Sequence, residues 1–93
     1  MVYNKPKYND IALEHTVEFP QDDVIFSAGR ERTTGKTRLF LIFNHTGHIY
    51  TRNGRADSWE VVETADAKII RALSADTSLP RYKASGSHKA YIQ

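Results

Sequence analysis

The 93-residue chain has no cysteine, one tryptophan, 40% hydrophobic and 26% charged residues, and a formal net charge of +2. A chain of this size supports one hydrophobic core rather than two. Lacking cysteine, it has no disulfide framework, thiolate zinc site or cysteine nucleophile. Its longest unbroken apolar run, Leu39 to Phe43, falls far short of the roughly 20 residues a membrane helix needs. No signal-type apolar stretch follows Met-Val-Tyr-Asn-Lys-Pro-Lys. The expectation is a soluble, cytoplasmic protein without membrane contact.

Residues 1–10, with two lysines, a proline and no apolar period, read as a flexible N-terminal arm. From Ile11 to Phe19, the residues Ile11, Leu13, Val17 and Phe19 alternate with Ala12, Glu14, Thr16 and Glu18. That period of two predicts a half-buried strand with the four larger residues on one face, and with His15 between Leu13 and Val17. Pro20 ends it, and Gln21-Asp22-Asp23 supplies a turn. Val24-Ile25-Phe26 starts a short second strand that Gly29 should stop, and Arg30 to Gly35 form a polar loop.

Lys36 to Phe43 is apolar on both faces after Arg38, as in a central strand covered on both sides with a helix on one. Asn44 to Gly47 is a tight turn, and His48 to Arg52 returns as the hairpin partner. Asn53-Gly54 marks another turn, and Ser58 to Val62 is β-prone. A helix is expected from Ala65 to about Ser74, capped by Thr64, with Asp66 in its first turn and Arg71 near its end. Ile69, Ile70 and Leu73 give it an apolar stripe. Pro80 ends the helical region, so residues 11–80 read as a single α+β domain. Its predicted architecture is a mainly antiparallel β-meander of four to five strands with one helix packed on it. Residues 81–93 read as a basic, partly mobile tail, or as one whose end adds an edge strand.

Charge is segregated along the chain. Residues 10–23 sum to −5, residues 29–55 to +5, residues 57–66 to −4, and Arg81, Lys83 and Lys89 in the tail add +3. If the central hairpin forms, Arg30, Arg32, Lys36, Arg38, Arg52 and Arg55 gather near its open end. With Tyr50, such a rim suits a phosphate backbone and its bases; Arg81, Tyr82, Lys83 and Lys89 would add tail contacts. The opposing reading pairs these arginines with Glu14, Glu18 or Glu60 on neighbouring strands as ordinary solvated surface.

Other motifs carry less. Gly29 to Thr37 looks like a phosphate-binding loop, but five residues separate its glycines instead of four and a strand follows instead of a helix. His45 and His48 flank a turn, with His15 and His88 distant, so the spacing points to no metal site. Trp59 reads as a packing residue. The sequence therefore points to a non-enzymatic nucleic-acid-binding module without cofactor, metal or catalytic residue. One alternative is a protein-binding adaptor or inhibitor, of the mobile-element or phage type, that docks on a host complex through the exposed first strand or an acidic patch. A second is a metal-independent ribonuclease using the histidines with Glu14, Arg38 and Arg52.

Overall fold

The computed structural model describes Tyr8, residues 10–54 and residues 58–91. Five strands follow in chain order: β1 (Ile11–Phe19), β2 (Val24–Glu31), β3 (Thr37–Phe43), β4 (Ile49–Asn53) and β5 (Glu60–Val61). Each is antiparallel to the one before. Helix α1 (Thr64–Ser74) comes next, then β6 (Arg81–Lys83), parallel to β1, and a 3₁₀ turn at His88–Tyr91. The fold is thus α+β, one helix on an open, mostly antiparallel sheet in the order β5-β4-β3-β2-β1-β6.

The sheet has six strands rather than four or five. The added ones, β5 and β6, are two and three residues long, too short to display a period of two. The beginning of the 81–93 segment supplies an edge strand, β6. Because β6 covers it, β1 lies inside the sheet and is not an exposed edge. Most of the N-terminal arm, together with Arg55, Asp57 and the last two residues, lies outside the described residues.

One irregularity in β1 decides which face each side chain takes. Leu13 pairs with Gly29 but His15 pairs with Ala28, so one extra residue is inserted at Glu14. Such a bulge flips the alternation. Ile11 and Leu13 therefore face α1, whereas His15, Val17 and Phe19 face the opposite way, correcting the single apolar face expected for this strand. Gly29 makes the bulge feasible. A Cβ there would lie 2.5 Å from the Ala12 carbonyl oxygen and 2.9 Å from the Leu13 Cα. Strand β2 runs on through this glycine to Glu31 instead of stopping at it.

Both faces carry a core, whereas the chain length predicts only one; the two are stacked on opposite sides of a single sheet. On the α1 side, Ile11, Leu13, Phe40, Ile42 and Ile49 pack with Val62 and with Ile70 of the helix, Ile70 being fully buried. Leu73 and Ala67 join from α1, and Tyr8 adds its ring edge-on to Phe40 at 6.1 Å. The helix begins at Thr64 with Glu63 as its N-cap, and no side chain caps it. Asp66, buried in the first turn, accepts the Tyr8 backbone N–H at 3.1 Å, which ties the start of the described chain to the helix.

On the far face, Val17, Phe19, Val24, Phe26, Ala28 and Leu41 form the second core, with Trp59 and Ala84 packed against it. The His88 ring lies edge-on to Phe19 at 6.4 Å and to Phe43 at 5.5 Å. A core side chain of this kind gains roughly 1.5–3 kcal/mol on burial, so the far-face cluster contributes alongside the α1 face.

Candidate nucleic-acid interface

Strand register arranges the far face in rows. Tyr82, Val17, Phe26, Leu41, Tyr50 and Val61 form one row across all six strands. His15, Ala28, Leu39 and Arg52 form the next, and Ala12, Arg30 and Thr37 the one after. Moving along these rows, the surface changes from apolar to cationic.

At the cationic end, Arg30 is exposed, with its Nε 3.3 Å from Glu14 Oε1. Both side chains are more than half exposed, so the pair holds the arginine weakly. The Arg52 guanidinium lies 5.0 Å over the Trp59 ring, a cation–π contact. Arg52 Nε and Trp59 Nε1 are both buried without a hydrogen-bond partner among the described residues.

Arg32 and Lys36 stand on the β2–β3 turn. Glu31 N–H donates to the Lys36 carbonyl at 2.9 Å and Gly35 N–H to the Glu31 carbonyl at 2.7 Å. Gly35 has φ +73°, the left-handed conformation that glycine adopts without strain. Asp10 secures the turn from outside, its Oδ2 accepting the Thr33 N–H at 3.0 Å. Both Arg32 and Lys36 are exposed, and neither has an ion pair among the described residues.

The structure thus gathers Arg30, Arg32, Lys36 and Arg52 at one end of the sheet. Arg38 shares that end but not that face. It pairs in register with Asn53, so its side chain is on the α1 side. There its Nε approaches Glu31 Oε2 at 3.5 Å, longer than a good hydrogen bond, and its guanidinium lies 5.2 Å over the Tyr8 ring. Only 18% of that side chain is exposed. The expected rim is therefore split by the pleat: Arg38 braces the fold, and Arg55 is outside the described residues.

Tyr50 is on the far face, half-buried and edge-on to Phe43 at 5.6 Å and His48 at 6.5 Å, one row further from the cations. In the tail, Arg81 and Lys83 align with Thr16 and Glu18 on the α1 side. Arg81 Nη1 donates to Glu18 Oε1 at 2.7 Å and Nη2 to the Ser74 carbonyl. Tyr82 alternates to the far face, 57% exposed, with the His15 ring 6.4 Å away. Lys89 is exposed on the 3₁₀ turn.

His15 lies beside Ala28 on the far face, and Trp59 packs against the far-face core, as a packing residue should. The bulge that turns His15 outward has no sequence marker, and a lone tryptophan reads as core. The four histidines do not converge. His45 and His48 are at the β3–β4 turn, the opposite end from Arg30 and Arg52, and His88 is buried against Asp22. Among the described residues no group of three or more histidine, aspartate or glutamate side chains could hold a metal ion. No described helix is long and apolar enough to cross a membrane. Compared with known protein families, characterised proteins and solved structures, the chain has no match in any of the three.

Proposed function

We propose that this chain is a non-enzymatic cytoplasmic module that binds nucleic acid through the cationic end of its far face. The observation that supports this reading is the grouping of Arg30, Arg32, Lys36 and Arg52 at one end of the sheet, with Arg52 over Trp59 and with Arg32 and Lys36 free of internal ion pairs among the described residues. Cations placed this way neutralise phosphates and release counterions, so affinity should fall steeply with salt. The test is binding of a labelled oligonucleotide across a salt series. Arg32→Ala with Lys36→Ala should weaken binding and flatten the slope by about 1.4 units, the share of two phosphate contacts on a single strand. An unchanged slope and affinity would overturn the proposal.

A second reading, a protein-binding adaptor or inhibitor, is favoured by a different feature. Val61 on β5 is 66% exposed, beside a groove of about 310 Å³ between β5 and α1 lined by Ile49, Val62, Ala67, Lys68 and Arg71. Under that reading one host protein should co-purify with the chain after nuclease treatment, and Val61→Glu should release it.

A further inference from the structure

We infer that the nucleic acid taken by this face is single-stranded, with an unpaired base stacked on Tyr82 and its strand's phosphates along Arg30 and Arg52. The inference rests on the reading above and adds the strandedness of the ligand.

Tyr82 carries it. This large aromatic residue lies on an edge strand, is 57% exposed, and meets only the edge of the His15 ring in the described contacts. It is not a member of either core. Four strand spacings separate β6 from β4, about 19 Å across the sheet. At the β4 side Arg52 packs over Trp59. The row that holds Arg52 runs back through Leu39 and Ala28 to His15, one row from Tyr82, and Arg30 is exposed in the row beyond it. An exposed aromatic at one side and cations along the adjoining rows match an unpaired base stacked on Tyr82 with its strand's phosphates along Arg30 and Arg52.

A duplex fits this surface poorly. Its bases are stacked inside, so the exposed Tyr82 ring would gain no base to stack on. A protein usually reads the major groove with a helix or a two-stranded ribbon, and the described α-helix lies on the other face, with Asp66 buried in its first turn.

The experiment compares the intact chain on a short fluorescent oligothymidine and on a blunt duplex of equal length at one salt concentration. The single strand should bind roughly tenfold or more tightly. Trp59, the only tryptophan, should show fluorescence quenching with the single strand alone. Tyr82→Ala should lose roughly fivefold to a hundredfold in affinity for the single strand, with an unchanged salt slope and thermal midpoint, and Tyr82→Phe should restore binding. Equal or tighter duplex binding, or wild-type affinity in Tyr82→Ala, would overturn this inference and leave the phosphate contacts standing. Failure to bind either ligand would overturn both.

Discussion

Asp22, in the β1–β2 turn, holds His88 through a single carboxylate oxygen. Its Oδ2 accepts the His88 backbone N–H at 2.9 Å and lies 2.7 Å from the ring Nδ1. An ionised carboxylate only accepts hydrogen bonds, so Nδ1 carries the proton. The two residues are 66 positions apart, and their contact fastens the C-terminal segment over Phe19 and Phe43.

That contact makes stability depend on acid. The His88 backbone N–H, and after it the His88 side chain, hold the Asp22 carboxyl below its ordinary value. A group depressed in the folded state stabilises above the unfolded carboxylate pKa, and that stability is lost as pH falls through the folded value. Denaturation measured from neutral pH into the acid range should therefore show wild type losing stability below about pH 4, with Asp22→Asn giving a flatter limb. Some slope should persist in the variant, because the Ser78 backbone N–H likewise lowers Asp76. Identical limbs would contradict this role for Asp22.

Gly29→Ala tests the bulge. The added methyl would meet backbone atoms of Ala12 and Leu13, which cannot rotate away. The expected cost is about 2 kcal/mol, a drop in Tm of roughly 8–16 °C for a domain of this size. A variant as stable as wild type would show that β1 can shift to make room.

Arg38→Ala should separate folding from the proposed binding. Arg38→Ala removes the contacts to Glu31 and Tyr8 on the α1 face. It should lower Tm by several degrees, since loss of a half-buried cation and its packing costs on the order of 1 kcal/mol. Oligonucleotide affinity measured below the transition should change little. The Arg32→Ala, Lys36→Ala pair should do the reverse, because both side chains are exposed.

Ile70→Ala tests the join between helix and sheet. Ile70 is fully buried in the α1-side core, and its truncation should cost roughly 2–5 kcal/mol by denaturant titration. A cost near zero would mean that α1 packs through other residues.

The central hairpin and the helix were legible because their patterns are long. Leu39 to Phe43 is apolar on both faces, as a strand between two cores must be, and Ile69, Ile70 and Leu73 repeat at helical spacing. The faces of β1 were not legible, for a physical reason. With a core on each side of the sheet, inserting one residue at Glu14 moves the odd positions from one core to the other without breaking the apolar pattern. The docking of the C-terminal segment was hidden as well, since it depends on one aspartate and one histidine far apart in the chain. At the site, the clustering of cations at one end could be read from the sequence. The division between Arg38 and Arg52 required the register of β3 on β4.

The central claim is that nucleic acid contacts the far face at its cationic end. Amide and side-chain resonances of the labelled protein, followed during titration with a single-stranded oligonucleotide, test it most directly. Shifts should concentrate at Arg30, Arg32, Lys36, Arg52, Tyr82 and the Trp59 indole, with α1 unmoved. Shifts confined to α1 and Val61, or none at saturating oligonucleotide, would contradict it.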